Sequence, residues 1–107
     1  MSQPYSTEQP ERSAIEALPG TVALEFGTDW CGFCRAGAAP IGEALATVPG
    51  VQHIKVEDGS GRALGRSFRV KLWPTLIVLR DGKEVARVVR PADADEVRSA
   101  LMQTSQV

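Results

Sequence analysis

The sequence predicts an α/β fold in which a central mixed sheet of four to five strands is flanked by helices on both faces. Helix and strand patterns alternate along most of the chain, which favours parallel strands joined by helices. The last two strand patterns are separated by Asp81-Gly82, a dipeptide typical of a tight antiparallel hairpin. The chain has 107 residues, 43% of them hydrophobic, which suits one domain with one core. We therefore expect a single domain over residues 10–107, preceded by a flexible N-terminal tail over residues 1–9.

Helix-breaking residues and the alternation of apolar with other residues predict the first helix and the first strand. A short amphipathic helix is expected over Pro10–Leu18, because Pro19-Gly20 ends it. The run Thr21–Gly27 alternates large apolar residues with smaller or charged ones, as a strand does. The tail is polar, and a short edge strand over Pro4–Thr7 is the only element expected within it.

The middle of the chain predicts one long helix, one strand and one short helix. The long helix begins at the two cysteines and runs to about Thr47, before Pro49-Gly50 ends it. The run Val51–Glu57 predicts the second strand. A short helix is expected over Arg62–Phe68, because Leu64 and Phe68 are four residues apart and so share one face.

The last third of the chain predicts the hairpin and a closing helix. Its strands are expected over Thr75–Arg80 and Glu84–Val89. The closing helix begins at Asp93, since Asp93 and Glu96 have the spacing of a capping box.

Composition and charge argue against several functions. The formal net charge of −1 argues against nucleic-acid binding by bulk electrostatics. No apolar run approaches the ~18–20 residues that span a bilayer, so no membrane association is expected. The first ten residues lack the basic and apolar parts of a secretory signal, and we expect a cytoplasmic protein. Two cysteines are too few for a disulfide scaffold and point to redox or metal chemistry.

The cysteines lie three residues apart, in the run Trp30-Cys31-Gly32-Phe33-Cys34 at the start of the long helix. The free N–H groups and the dipole of a helix N-terminus favour an anion, so we expect a thiolate at Cys31. Cys34 lies one turn further along, close enough to form a disulfide with Cys31 and less exposed. These positions predict that Cys31 attacks a substrate disulfide and that Cys34 resolves the mixed disulfide.

Metal binding is the alternative chemistry for this spacing. A closed zinc site needs four ligands, and the chain has two cysteines and one histidine, His53. Two chains would have to share a metal ion through Cys31 and Cys34. A second alternative is a redox-inactive binding or delivery module whose cysteines are vestigial.

The run from Thr21 to about Leu101 resembles thioredoxin. The resemblance depends on the Trp-Cys-Gly-Phe-Cys run together with Trp73-Pro74-Thr75 ahead of the hairpin. It implies the thioredoxin fold and the reduction of protein disulfides, with a reversible Cys31–Cys34 disulfide and no other cofactor. It also implies a cis Pro74 that faces the cysteines, a monomer, and either a thioredoxin-reductase-like enzyme or glutathione as electron donor.

Glu25 matches the carboxylate that lies beneath the resolving cysteine in this family. The alternation within Thr21–Gly27 agrees, because it places Glu25 opposite the large apolar residues and under the other helical layer. A buried carboxylate there can take the proton of Cys34 during resolution, whereas the alternative is an exposed glutamate on a half-open sheet. His53 lies roughly where relatives have a lysine paired with this acid. It is expected either to pair with Glu25 or to stay partly solvated.

The resemblance also implies a set of substrate-binding residues. The residue before the cis-proline offers its backbone N–H and C=O to the substrate chain, and here that residue is Trp73. We expect Trp73 to form an aromatic wall with Trp30 and Phe33 around the attacking thiol, or else to pack inward as core. Gly32 and Pro74 complete the set.

Several positions depart from the family. Phe33 stands where thioredoxins have proline, which leaves the reduction potential open and makes an oxidant or isomerase a third alternative. Gly27 replaces an aromatic residue that usually follows the first strand. Arg90-Pro91 replaces a glycine-containing loop beside the cysteines, where a bulky cation can block a reductase or select an acidic partner. Three further cations share one face of the predicted short helix, either as solvated residues or as a surface that steers an acidic partner. They are Arg62, Arg66 and Arg69.

Overall fold

Four strands form one mixed sheet in the computed structural model, which describes residues 3–103. The strands are β1 (Thr21–Gly27), β2 (Val51–Glu57), β3 (Thr75–Arg80) and β4 (Lys83–Val89). Their order across the sheet is β2-β1-β3-β4. β1 is parallel to β2, whereas β1 with β3 and β3 with β4 are antiparallel pairs. The predicted mixed sheet, including its closing hairpin, is confirmed.

Within the described residues, four helices cover the two faces of this sheet. They are α1 (Arg12–Glu16), α2 (Gly32–Thr47), α3 (Ala63–Ser67) and α4 (Ala94–Leu101). α2 and α4 pack on one face, and α1 and α3 pack on the other. α1 and α3 are shorter than the predicted helices, while α4 begins where the capping box predicts, with Asp93 accepting from the backbone N–H of Glu96 at 2.9 Å.

β1 is the buried centre of the sheet, and its alternation decides which side chains each helical layer meets. Val22, Leu24 and Phe26 lie in the apolar cluster under α1 and α3. Ala23 lies in the cluster under α2 and α4. Because strand side chains alternate, Glu25 also points to the α2 side, and it is only 1% exposed. The prediction of a buried carboxylate under the helix that begins at the cysteines is thus confirmed.

The N-terminal segment differs from the flexible tail expected over residues 1–9. Tyr5 is 6% exposed and packs with the two cysteines. Ser6 pairs with Val56 of β2 in a parallel bridge, within the predicted edge segment Pro4–Thr7. The backbone N–H of Tyr5 also donates to Asp29 Oδ1 at 3.0 Å. The Tyr5 ring, the bridge at Ser6 and the hydrogen bond to Asp29 therefore hold this segment against the domain, whereas residues 1 and 2 lie outside the described part of the chain.

Candidate active site

The two cysteines lie at the start of α2, the helix that follows β1. Cys31 is the N-cap residue of α2, and its Sγ accepts a hydrogen bond from the backbone N–H of Cys34 at 3.2 Å. Both residues have free thiols, and Cys31 is 8% exposed against 3% for Cys34. The more accessible sulfur thus lies at a helix N-terminus and accepts a backbone N–H, which suits an attacking thiolate. The less accessible sulfur lies one turn behind it.

Cys34 is held as a protonated thiol. Burial raises the pKa of this thiol from 9.0 to about 11, and the neighbouring Cys31 contributes to the rise. A backbone hydrogen bond at Thr28 and the Tyr5 hydroxyl lower the same pKa by smaller amounts. At neutral pH Cys34 must therefore give up a proton before it can attack a disulfide.

Gly27 makes room for Tyr5 beside the resolving cysteine. A Cβ on Gly27 would lie 2.5 Å from Cys34 Sγ and 2.8 Å from the Tyr5 hydroxyl oxygen, so only glycine fits there. The ring of Tyr5, brought in from the N-terminal segment, lies next to the position where the family usually has an aromatic side chain. The aromatic side chain that Gly27 lacks is thus replaced by the Tyr5 ring from the N-terminal segment, which sequence patterns did not predict.

Both oxygens of the buried Glu25 carboxylate have partners. The Tyr5 hydroxyl donates a short hydrogen bond to Glu25 Oε2. His53 Nε2 lies 2.8 Å from Glu25 Oε1, and the His53 side chain is 25% exposed. Both expectations for this histidine are observed, because it pairs with Glu25 and also stays partly solvated. A polar chain runs from beside Cys34 through Tyr5 and Glu25 to a partly solvated histidine.

Lys55 lies directly opposite Glu25 in the β1–β2 register, yet its amine does not pair with that carboxylate. Lys55 Nζ instead donates to the backbone carbonyl of Gln3 and lies 4.3 Å from the centroid of the Tyr5 ring. The lysine therefore fastens the N-terminal segment over the site. The Glu25 carboxylate therefore has Tyr5 and His53 as its hydrogen-bond partners, which strand alternation alone did not predict.

Two tryptophans form the wall beside Cys31. The rings of Trp30 and Trp73 meet edge to face with centroids 5.9 Å apart, and Trp73 packs against the cysteine cluster. Asp58 fixes the Trp73 indole by accepting from its Nε1 at 2.9 Å. Trp73 is half-buried rather than inward-packed core, while Trp30 is 71% exposed.

Pro74 follows Trp73 through a cis peptide bond, as the resemblance implied. Its ring lies against α2, where a Cβ on Gly37 would come within 2.9 Å of Pro74 Cγ. Gly32 is exposed in the first turn of α2, with no atom within 4 Å of where a Cβ would stand. The face around Cys31 is thus open on the Gly32 side and walled on the Trp73 side.

Arg90 covers part of the expected substrate-binding face. Its guanidinium carbon lies 3.7 Å from the centroid of the Phe33 ring, and its Nε donates to the backbone carbonyl of Trp73 at 2.9 Å. Its backbone N–H donates to the Pro74 carbonyl at 2.9 Å. Phe33 therefore pairs with Arg90, not with the two tryptophans as predicted. Arg90 has φ +50°, a left-handed conformation that favours glycine.

A basic groove of about 660 Å³ begins on the other side of Trp73. Its cations are Arg62, Arg66, Arg69 and Lys71. The prediction that these arginines share one helix face is wrong, because α3 contains only Arg66: Arg62 is the N-cap residue before the helix, and Arg69 lies beyond its end with φ +60°. Arg62 is paired with Glu57 at 2.6 Å, whereas Arg66 and Arg69 are exposed.

Within residues 3–103, no group of three or more histidine, cysteine or acidic side chains is arranged to hold a metal ion. His53, the only histidine in the sequence, pairs with Glu25. The same described part of the chain contains no helix that is both long and apolar enough to cross a membrane.

Comparison with known proteins gives one consistent family. The family model described as Thioredoxin matches residues 6–103. A thioredoxin of Chlamydia trachomatis is 38% identical over 88 residues, which are 81% of this chain and 85% of that protein. The structure is similar to reduced thioredoxin 2 from Pseudomonas aeruginosa, with 54% identity, a TM-score of 0.83, and 94% and 93% of the two chains covered. It is also similar to a mutant thioredoxin from Halobacterium salinarum, with 29% identity, a TM-score of 0.74, and 96% and 91% covered.

Proposed function

Since the chain belongs to the thioredoxin family and is a thiol–disulfide oxidoreductase that acts on disulfide substrates, we propose that it reduces protein disulfides with Cys31 as the attacking thiol. The observation that supports this assignment is the position of Cys31 Sγ at the N-terminus of α2, where it accepts the Cys34 N–H. That position stabilises a thiolate and leaves Cys34 behind it to complete the reaction.

The exchange has two steps. The Cys31 thiolate attacks one sulfur of the substrate disulfide, forms a mixed disulfide and releases the other substrate sulfur as a thiolate. Cys34 then loses its proton and attacks Cys31 Sγ, which releases the second substrate sulfur and forms the Cys31–Cys34 disulfide. Two electrons pass from the protein to the substrate, and no cofactor beyond the two thiols takes part.

Glu25 accepts the Cys34 proton during the second step. The raised pKa of Cys34 makes a base necessary, because a thiol with a pKa of about 11 is almost fully protonated at neutral pH. Glu25 is the buried carboxylate on the α2 side of β1, and Tyr5, which contacts it, packs in the cluster that contains Cys34.

The substrate chain docks beside Cys31. It pairs with the backbone of Trp73, contacts Pro74, and lies over Trp30, Gly32 and Phe33. The rings of Trp30 and Phe33 are 71% and 57% exposed, which gives an apolar substrate surface somewhere to pack. Because the Arg90 side chain already occupies the Trp73 carbonyl, the substrate displaces that hydrogen bond as it docks.

The oxidised pair is returned to the dithiol by a thioredoxin-reductase-like enzyme or by glutathione. We place the reaction in the cytoplasm, a reducing compartment in which two free thiols persist. The chain acts as a monomer, without nucleic acid or membrane.

Trapping of the mixed disulfide tests this proposal. In Cys34→Ser the second step is blocked, so the reduced variant incubated with a disulfide-containing protein should accumulate an adduct through Cys31, seen by non-reducing mass spectrometry. Cys31→Ser is the matched control and should form no comparable adduct. Adducts that form equally well in Cys31→Ser would contradict the assignment. A Cys34→Ser variant that forms none would favour the redox-inactive module.

A further inference from the structure

Tyr5 is a buried ionisable residue to which the mechanism above gives no role. Its hydroxyl donates to Glu25 Oε2, while its ring packs with both cysteines. Burial, and then the Glu25 charge, raises the pKa of Tyr5 above its ordinary value, so the hydroxyl stays protonated and donates. It is also the only tyrosine in the chain.

The hydroxyl lies between the proton donor and the proton acceptor of the resolving step. A Cβ on Gly27 would touch both Cys34 Sγ, at 2.5 Å, and the Tyr5 hydroxyl oxygen, at 2.8 Å, so these two atoms border the same small space. The same hydroxyl contacts Glu25 directly, and Glu25 in turn contacts His53 at 2.8 Å. Glycine at position 27 keeps this passage free of a side chain.

We propose that the Tyr5 hydroxyl transfers the proton of Cys34 to Glu25 during resolution, and that His53 holds the carboxylate in position to receive it. This inference rests on the proposed function of the same two cysteines. As the Cys34 S–H proton passes to the Tyr5 oxygen, the Tyr5 O–H proton passes to Glu25 Oε2. Tyr5 ends unchanged, Glu25 becomes neutral, and Cys34 becomes the thiolate that bonds to Cys31 Sγ while the bond to the substrate sulfur breaks.

Several charged or titratable groups surround this path and contribute to its pH dependence. Cys31 and Cys34 face it from the start of α2, Glu25 from β1, and His53 and Lys55 from β2. Asp29 bonds the Tyr5 backbone, and Arg35 lines the cavity next to Tyr5 and Cys34. Tyr5→Phe removes only the hydroxyl and leaves these groups and the ring in place.

A stopped-flow experiment separates the two steps. One equivalent of the chromogenic disulfide of thionitrobenzoate releases a first chromophore when Cys31 attacks and a second when Cys34 resolves. In Tyr5→Phe the first release should be unchanged, while the second should slow about tenfold or more at neutral pH, since general acid–base catalysis of this kind is worth at least that much. The slowing should shrink as the pH rises toward 11, where hydroxide removes the Cys34 proton.

The controls distinguish this inference from the function on which it rests. Ser6→Ala removes an exposed hydroxyl from the same segment and should leave both releases unchanged. Adding Glu25→Gln to Tyr5→Phe should slow the second release little further, because both changes break one path. A second release within about twofold of wild type in folded Tyr5→Phe overturns the role of Tyr5. A missing first release in the wild type overturns the proposed function instead.

The wild-type protein supplies a measurement that needs no variant. Because Tyr5 is the only tyrosine, its tyrosinate absorbance can be followed during a pH titration of the folded protein. The absorbance should stay absent well above pH 10, the ordinary pKa of tyrosine. Titration at that ordinary value would show that Tyr5 does not contact Glu25, and it would overturn the proposal even if Tyr5→Phe failed to fold.

Discussion

Replacing Arg90 by glycine should make the protein a faster reductase of neutral substrates. The Arg90 Nε bonds the Trp73 carbonyl at 2.9 Å, and that carbonyl is the group we expect a substrate backbone to use. The guanidinium also covers the Phe33 ring at 3.7 Å. A substrate that pairs with the Trp73 carbonyl displaces the hydrogen bond, and one that also packs on Phe33 displaces the guanidinium, so removing the Arg90 side chain should raise kcat/KM.

The size of the effect follows from the two interactions that the Arg90 side chain makes. A hydrogen bond of this kind is worth about 0.5–1.5 kcal/mol net, which corresponds to roughly a two- to twelvefold change in kcat/KM. The exposed cation–π interaction with Phe33 adds about 0.5–1 kcal/mol if the substrate also needs that ring. Stability should change little. Relief of the strain at φ +50°, about 1–2 kcal/mol, offsets the removal of both interactions and the added freedom of glycine in the unfolded chain.

The assay is reduction of a disulfide peptide without charged side chains, with kcat and KM measured separately and stability measured by urea unfolding. Arg69→Gly is the matched control, because Arg69 is also an exposed arginine with a positive φ, at +60°. It removes the same charge and similar strain without touching the Trp73 carbonyl. Arg90→Lys keeps the charge but loses the planar group that stacks on Phe33, so it should give an intermediate rate.

One outcome would refute this reasoning. If Arg90→Gly is folded and its kcat/KM is equal to or below that of wild type, Arg90 does not compete with the substrate. Equal acceleration by Arg69→Gly would instead assign the effect to charge rather than to the Trp73 carbonyl.

Three further predictions concern the cysteine cluster and the basic groove. Gly27→Ala should lower the free energy of unfolding by about 1–3 kcal/mol, because its Cβ would clash with Cys34 Sγ and the Tyr5 hydroxyl. Urea unfolding measures this loss, and Gly42→Ala is the control because its Cβ meets no atom within 4 Å. The reduced protein should lose stability as the pH rises from 9 to about 11, because the pKa of Cys34 is raised in the folded state and the unfolded chain therefore releases the Cys34 proton at lower pH. A decline of the same size in Cys34→Ala would contradict this prediction. The double variant Arg66→Gln/Arg69→Gln should slow reduction of an acidic disulfide peptide but not of a neutral one, and this slowing should vanish at high salt. Equal slowing of both peptides would exclude electrostatic steering by the basic groove.

Most of the fold can be predicted from patterns among residues that are close together in the sequence. The alternation in β1 predicts both its strand character and the burial of Glu25, because neighbouring strand residues point to opposite faces. The Asp81-Gly82 dipeptide predicts the hairpin, since the turn that it favours needs positive φ, and both residues have it. These features depend on residues close together in the chain.

The interactions that complete the site are long-range, and sequence patterns predict such interactions poorly. Tyr5 is 20 residues from Glu25 in the chain and lies in a polar segment that composition alone marks as a tail. The signal that could have found it was Gly27, since a family that usually has an aromatic residue there needs another to fill the space. Phe33 was expected to join the tryptophans, but the cation of Arg90 attracts its ring instead, a pairing set by where the β4–α4 loop passes.

The equilibrium reduction potential of the Cys31–Cys34 pair, measured by alkylation and mass spectrometry in glutathione buffers, tests most directly whether the protein is a reductase. We expect a potential more negative than the glutathione pool, near the value of about −270 mV typical of thioredoxin, so that the pair is mostly oxidised in a buffer poised at about −220 mV. A shift of about 30 mV corresponds to about 1.4 kcal/mol, so the effect of Phe33 in place of proline is resolvable. A potential well above the glutathione pool, near the value of about −120 mV found for a strong oxidant, would contradict the assignment.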